Sequence, residues 1–380
     1  MSDRTQSNGF SRENAYRVFI SYSHQDFDLV AKIVAALEDN GLIPMWDQKF
    51  AFGYGFHEQI KSFIAHAHAF VPVITESSHL RGWVHQEIGY AMALNVPVLP
   101  VSVGAPPGEM IQSLHALQFC EDPEELRKRL SRDVVDNLVS RYCESQYAFY
   151  ECAELAEDRA RMMVEYSEAV IELGYTGRVR QKGALSSFHI PKKIITDKVW
   201  DHRYGKFDRS PFHRRQQRRE RMALEKHARA SGCRIIIDPS ITYRKYGPKA
   251  RMVRLGTLVE FLESMTDDMA EVAILEPGAG AQESITIVGD WFYAESVSAS
   301  IGKGYRQTIF TRHAPSMRGK IELFDQEFEE QLQREKWTAR SSRREAIKRL
   351  KKLMGEIHDN RSVAPASRAK EKSKAAAVSQ

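Results

Sequence analysis

Glu87 is the residue of this sequence whose type and position best suit a chemical role, and Trp83 precedes it by four positions. The pattern over residues 83–94 predicts a helix that follows a buried strand at residues 70–74. A spacing of four places Trp83 and Glu87 one helical turn apart on the same face. Near a helix N-terminus the helix dipole favours an ionised carboxylate, which can stabilise a developing positive charge and hold hydroxyl groups. The alternative is that Glu87 is an ordinary capping or first-turn acid of the helix and that Trp83 packs in the core.

The elements that must position Glu87 alternate between short apolar strands and amphipathic helices. The predicted strands are residues 18–20, 42–46, 70–74, 96–101 and 117–120. This alternation predicts an α/β fold with a parallel five-stranded sheet covered by helices on both faces. Ligands of such sheets bind at the carboxyl ends of the strands, here the loops 21–28, 46–56, 75–83 and 102–110. Ser21, Tyr22 and Trp46 lie at that edge, so they join Trp83 as candidates to contact a ligand beside Glu87.

The rest of the sequence predicts a second, smaller α/β or α+β domain, with a connector before it and a tail after it. That domain is expected at residues 231–335, after a helical and strongly basic connector at residues 136–230. Its stretch 285–295 is rich in aromatic residues and could form a pocket for a base, or simply a strand with core aromatics. Residues 1–15 predict a disordered tail, and residues 336–380 a basic, partly disordered one.

Composition indicates a globular, cytoplasmic protein. Hydrophobic residues make up 42% and charged residues 28% of the chain, and no apolar run reaches the ~20 residues of a membrane span. The start of the chain shows no hydrophobic leader, and the four cysteines form no CxxC pair, so we expect reduced thiols and no metal site. The net charge is +5, divided into −5 over residues 16–130 and +10 over residues 131–380. A nucleotide or nucleic-acid trigger for the C-terminal part is therefore one hypothesis, and a solvated basic surface is the other.

Three segments, in this order, resemble the TIR (Toll/interleukin-1 receptor) domain. Residues 17–26, RVFISYSHQD, are similar to the family's first strand and the loop after it. Residues 41–56 are similar to the second strand and the BB loop, and WVHQEI at residues 83–88 is similar to the W-x-x-x-E segment that opens a helix. The resemblance covers about a third of the chain and implies a flavodoxin-like domain at residues 16–135. Phe52-Gly53 stands where many members have Pro-Gly, and Phe56 where many have Trp.

The resemblance implies one of two functions, because some TIR domains only pair with other TIR domains and others cleave NAD⁺. Glu87 occupies the position of the catalytic glutamate of the cleaving members. In those members the BB loop of one copy closes the site of another, which implies a role for residues 47–56, including Phe52 and Gly53, in self-association and substrate binding. The protein is then an NAD⁺ glycohydrolase of bacterial-type immune defence or signalling, with NAD⁺ as substrate and no cofactor. The alternative is a non-catalytic TIR scaffold or adaptor.

Cleavage of the nicotinamide–ribose bond requires little more than one carboxylate. Nicotinamide is cationic while it is bonded to ribose and leaves as a neutral molecule, so no general acid is needed. Positive charge then develops on the ribose in an oxocarbenium-like transition state of the kind that glycosidases stabilise. An ionised Glu87 held against the ribose would stabilise that charge and bind the sugar hydroxyls. The products would be nicotinamide and linear or cyclic ADP-ribose.

Overall fold

The computed structural model describes residues 15–46, 56–76, 78, 82–104, 116–145, 150–183, 185, 211–238, 248–276, 283–298 and 305–376. These residues form two sheets, one of five strands and one of seven. Helices cover both faces of each sheet, so the chain contains two α/β units. None of the helices in this part of the chain has the length and hydropathy that crossing a membrane would require.

The first sheet is parallel, with the strand order β2-β1-β3-β4-β5. Its strands are β1 (Arg17–Ser21), β2 (Ile43–Met45), β3 (Ala69–Ile74), β4 (Val101–Ser102) and β5 (Leu117–Gln118). Its helices are α1 (Phe27–Asp39), α2 (Phe56–His66), α3 (Gly82–Ala93), α4 (Pro123–Arg129) and α5 (Arg132–Ser145). Ile33 of α1 packs on one face of the sheet, and Phe63 of α2 with Ile88 of α3 packs on the other. This is the flavodoxin-like order, so the predicted fold class is confirmed.

The fourth strand is much shorter than the predicted span of residues 96–101. Regular pairing begins only at Val101, while Val98 forms an isolated bridge with Phe70. Pro97 and Pro100 flank this bridge, and proline has no backbone N–H to donate to a ladder. The prediction from apolar residues alone therefore made this strand too long.

The second sheet is mixed, with the order β6-β12-β11-β10-β7-β8-β9 and only β7, β8 and β9 parallel to one another. Its strands are β6 (Glu151–Ala153), β7 (Val179–Gly183), β8 (Cys233–Ile237), β9 (Ala270–Ile274), β10 (Glu283–Val288), β11 (Phe292–Ser298) and β12 (Tyr305–Thr311). Its helices are α6 (Ala156–Glu172), α7 (Pro211–Ser231), α8 (Pro248–Glu263), α9 (Ala314–Glu335) and α10 (Ala339–Ala376). Helix α9 packs on one face, and α6, α7 and α8 pack on the other.

The second unit starts earlier in the chain and ends later than the predicted domain of residues 231–335. The span predicted as a connector contributes β6, α6, β7 and α7, and the predicted basic tail contributes α10, whose Leu350 and Ile357 are buried. Strand β6 has three residues at the sheet edge and pairs with β12, so no local period reveals it. The aromatic residues Trp291, Phe292 and Tyr293 are at most 5% exposed and belong to the packed core.

Arg17, the first residue of β1, joins the two units. Its guanidinium is 1% exposed and forms an ion pair of 2.6 Å with Asp290, in the turn between β10 and β11. It also lies 4.0 Å from the centre of the Trp291 ring, and its Nε donates to the carbonyl oxygen of His66 at 2.9 Å. The amino edge of the first sheet is thus docked on the second unit.

Candidate active site

Helix α3 turns Glu87 towards the core of the first unit. Val84, Ile88 and Ala91 are at most 2% exposed, and Glu87 falls on the same stripe at the i, i+3, i+4, i+7 spacing of a buried helix face. The helix begins at Gly82, so Glu87 is its sixth residue and lies in the second turn rather than the first. The helix dipole acts mainly within the first turn, so its effect on Glu87 is smaller than predicted.

Ser21 holds the Glu87 carboxyl group at the carboxyl end of β1. The Ser21 hydroxyl donates a hydrogen bond to Glu87 Oε2, and both residues are buried, at 6% and 9% exposure. Within the described part of the chain no lysine, arginine or histidine forms an ion pair with this carboxylate. Ser21 therefore lies against the candidate catalytic group, at the sheet edge where the sequence placed it.

Burial raises the pKa of Glu87 to about 7, and the hydrogen bond from Ser21 acts in the opposite direction. This differs from the expectation that the helix dipole keeps the group fully ionised, because loss of water around the carboxylate outweighs the other effects. Near neutral pH the protonated and ionised forms are both populated. When ionised, the carboxylate is poorly solvated, so it gains more from a positive charge formed beside it than a surface carboxylate would.

An aromatic cluster follows the first two strands at the same edge. Trp46 comes directly after β2 and Tyr22 directly after β1, and their ring centres are 6.2 Å apart. Both are largely buried, at 9% and 8% exposure. Phe27 stacks on Trp46 at 5.7 Å and remains 40% exposed, so it presents the outer face of the cluster. Sequence reasoning did not single out Phe27, although it lies in the predicted edge loop 21–28.

Hydroxyl groups line the start of the loop between β3 and α3. Thr75 donates to Asp26 Oδ2 at 2.9 Å, which ties this loop to the one after β1. Ser78 is fully buried, and its hydroxyl accepts from the backbone N–H of Thr75 at 2.8 Å and donates to the carbonyl oxygen of Val73 at 3.0 Å. The only feature of the sequence that could have pointed to Asp26, Thr75 and Ser78 is their position in the loops predicted at the carboxyl edge.

Ser23 presents a polar group that the described residues do not satisfy. It is 2% exposed, and its hydroxyl has no hydrogen-bond partner among them. Leaving a buried hydroxyl unpaired costs about 1–3 kcal/mol. A group in this state, two residues after Ser21, is one that a bound ligand could satisfy.

Residues 18–131 match a family model described as TIR domain. Residues 18–131 form a TIR domain. The C-terminal part has no family match, and no curated protein matches the chain. Among solved structures, the CMP N-glycosidase of Clostridium botulinum is similar at 17% identity over 30% of this chain and 97% of that chain, with a TM-score of 0.25. A TM-score this low supports no conclusion about activity.

Three predicted residues of the TIR domain cannot be placed beside Glu87. Phe52 and Gly53 belong to the BB loop, which lies outside the described residues except where α2 begins. The backbone of Trp83 is part of α3, but its side chain is outside the described part. Among the described residues, no group of three or more His, Cys, Asp or Glu side chains could hold a metal ion.

Proposed function

We propose that the TIR domain cleaves NAD⁺ at the nicotinamide–ribose bond, with Glu87 as the catalytic carboxylate. The observation that carries this proposal is the position of a buried carboxyl group at the carboxyl edge of the sheet, supported by a serine hydroxyl and not by a cation among the described residues. A carboxylate used only for stability would be expected to have a cationic partner or exposure to water. A perturbed pKa in a buried edge position is typical of catalytic groups.

The reaction follows from the charge balance. The bond between ribose C1′ and the nicotinamide nitrogen breaks, and its electron pair leaves with nicotinamide, which becomes neutral. Positive charge moves to C1′ and the ring oxygen, where ionised Glu87 stabilises it. Water then attacks C1′ and loses a proton to give ADP-ribose; attack by the adenine ring of the same molecule would give the cyclic product. The cationic nicotinamide also lowers the pKa of Glu87 in the bound state, so binding favours the active form.

The remaining site residues have supporting roles in this proposal. Ser21 orients the carboxyl group, and the exposed ring of Phe27, backed by Trp46 and Tyr22, offers a flat apolar surface for a base. Trp83, Phe52 and Gly53 complete the substrate site, the last two from the BB loop of a second copy.

Control of the activity belongs to the second unit in this proposal. A trigger recognised there drives self-association of TIR domains and so completes the active sites. Strand β1 provides a direct mechanical link, because Arg17 at its first position contacts the second unit and Ser21 at its last position contacts Glu87. All five residues of the strand are buried, so the two contacts lie at the ends of one packed element.

Expression in bacterial cells tests the function, with cellular NAD⁺ and growth as the readouts. The wild-type protein should deplete NAD⁺ and release nicotinamide, and Glu87→Ala should do neither while accumulating as a folded protein. Glu38→Ala, which removes an exposed carboxylate from α1, is the matched control and should behave like the wild type. NAD⁺ loss that persists in Glu87→Ala would refute the catalytic role. Growth arrest without NAD⁺ loss in the wild type would favour the scaffold function.

A further inference from the structure

Helices α6 and α7 lie side by side on one face of the seven-stranded sheet and run in the same direction. Each leads into the amino end of a strand, α6 into β7 and α7 into β8, and these two strands are parallel. His227 of α7 donates from Nε2 to the carbonyl oxygen of Ser167 of α6 at 2.9 Å, and Arg159 of α6 lies 3.4 Å from Glu220 of α7. Residues of the two helices whose numbers differ by 60 or 61 therefore lie at about the same height.

The outer face of α6 is acidic. This helix carries five acidic and two basic side chains, and Arg159, one of the two basic ones, is buried. The residues that point outward at helical spacing, here called the acidic stripe, are Glu157, Arg161, Glu165, Glu168 and Glu172. Burial and the neighbouring Glu168 raise the pKa of Glu172, so like charges repel along this stripe. A cationic surface placed against the stripe would relieve that repulsion.

The outer face of α7 has the opposite charge. This helix carries seven arginine or lysine and two glutamate side chains. Its outward residues, here called the basic stripe, are Arg215, Arg218, Met222, Lys226 and Arg229. From the second member onward, each stands 61 positions after a member of the acidic stripe and so lies at the same height as Glu157, Arg161, Glu165 and Glu168 in turn. Three of these four pairs combine an acid with a base.

Large apolar side chains are exposed among these charges. Met222 is 62% exposed in the middle of α7, Leu155 is 66% exposed just before α6, and Phe212 is 39% exposed near the start of α7. They are three of the seven large hydrophobic side chains that are exposed in the described part of the chain. Methionine and aromatic side chains are enriched in protein interfaces. Their position on and beside the two stripes favours a contact surface over one that is only solvated.

A second copy of this chain fits this surface better than a nucleic acid does. The phosphates of a nucleic acid would match the basic stripe, but the acidic stripe about 10 Å away would repel them. A second copy related by a twofold axis parallel to the helices places α6 of each copy on α7 of the other. Residues at equal height then face each other, so acid meets base in three of the four matched pairs, and Arg161 meets Met222. Every contact occurs twice.

We propose that the outer faces of α6 and α7 form the surface through which two copies of this chain dimerise. Helix α6 has 17 residues and is about 25 Å long, and packed helices are about 10 Å apart. The two helices thus present about 500 Å² per copy, or about 1,000 Å² in the dimer, at the lower end for a specific interface. Charged pairs supply much of the complementarity, so the dimer should be reversible and sensitive to salt.

This dimer would bring two TIR domains to the same end of the assembly. Tyr175, just after α6, packs on Trp291 with ring centres 5.0 Å apart, and Arg17 of the TIR domain docks on the other side of this turn. A twofold axis parallel to the helices keeps both copies of this joint at one end. That consequence rests on the proposed function, in which TIR domains act when they associate. The dimer itself does not, so it can be measured on the Glu87→Ala protein.

Analytical ultracentrifugation of the full-length Glu87→Ala protein tests the surface. In about 0.1 M salt this parent protein should dimerise reversibly, and about 1 M salt should weaken the dimer. Glu157→Lys/Glu165→Lys makes both stripes basic, and Arg218→Glu/Lys226→Glu makes both acidic, so each double variant should dimerise at least about tenfold more weakly. Glu322→Lys/Glu330→Lys, on the exposed face of α9, has the same change of charge as the first variant and should dimerise like the parent.

An equimolar mixture of the two double variants is the decisive measurement. Each repels its own copies, but a heterodimer matches acid with base at both contacts, so the mixture should dimerise about as tightly as the parent protein. This recovery also shows that both variants are folded. Dimers that persist unchanged in both double variants, or a mixture that stays monomeric, would overturn the proposal. A parent protein that stays monomeric but binds double-stranded DNA would assign the basic stripe to nucleic acid and would overturn it as well.

Discussion

The two ends of β1 bury charged groups in opposite ways. At its amino end, Arg17 has an ion pair with Asp290, a backbone acceptor in His66 and the face of Trp291. At its carboxyl end, Ser21 supplies a hydrogen bond to Glu87, whose pKa rises to about 7 because burial removes water without supplying a cation from the described residues. The charge of Arg17 is fully paired and holds the two units together. The ionised carboxylate of Glu87 is poorly solvated, so a positive charge on a substrate beside it would stabilise it.

Arg17→Met should give the largest change, because it removes the ion pair that Arg17 forms with the buried carboxylate of Asp290. We expect a loss of about 3–5 kcal/mol in the free energy of unfolding, measured with urea. Adding Asp290→Leu should restore much of that loss, since both charges are then replaced by apolar groups. Arg215→Met, at an exposed position of α7, is the control. Equal stabilities of the Arg17 and Arg215 variants would show that the contact of Arg17 with the second unit does not stabilise the folded protein.

Glu87→Gln should instead increase the free energy of unfolding, by an amount that depends on pH. In the unfolded chain this carboxyl group ionises near its usual pKa of 4.5, and in the folded protein near 7. Below pH 4.5 the group is protonated in both states and burial carries no ionisation penalty. Between pH 4.5 and 7 only the unfolded chain ionises, so the folded protein loses stability as the pH rises, and the loss is complete above about pH 7. Relative to the wild type, Glu87→Gln should therefore gain up to about 3 kcal/mol between pH 4.5 and 8. Stability curves that stay parallel across this range would contradict the raised pKa.

Ser21→Ala should change activity through Glu87 rather than through folding. The Ser21 hydrogen bond lowers the pKa of Glu87, so its removal raises that pKa and reduces the ionised fraction at pH 7. The pH profile of kcat/KM for NAD⁺ cleavage should move to higher pH, with a several-fold loss near pH 7 and a smaller loss near pH 9. Ser21→Thr keeps the hydroxyl group and should keep the profile. A uniform loss at every pH would assign Ser21 a role other than tuning this carboxylate.

Phe27→Ala should have the smallest effect. Loss of the exposed ring removes a stacking contact of about 0.5–1.5 kcal/mol, which predicts a several-fold rise in KM for NAD⁺ at nearly constant kcat. Phe27→Tyr preserves the ring and serves as the control. If KM is unchanged while the melting temperature falls, Phe27 only protects Trp46.

Much of the TIR domain could be predicted because its signals are local. Strand β3 and helix α3 each carry their own apolar pattern, and the position of Glu87 follows from the order of these elements. Strand β6 could not be predicted, because its three residues form a strand only by pairing with β12. The exposure of Phe27 could not be predicted either, since it depends on the burial of Trp46 from another loop.

The sequence alone determined the layered α/β order of the TIR domain and the edge at which Glu87 and Ser21 lie, because hydrophobic periodicity and strand direction are properties of short segments. Only the tertiary structure decided the protonation of Glu87 and the role of Arg17. The hydrogen bond to Glu87 comes from a residue 66 positions earlier, and Arg17 is neutralised by a residue 273 positions later. Solvation and charge pairing depend on what surrounds a group in space, and folding brings those surroundings from distant parts of the chain.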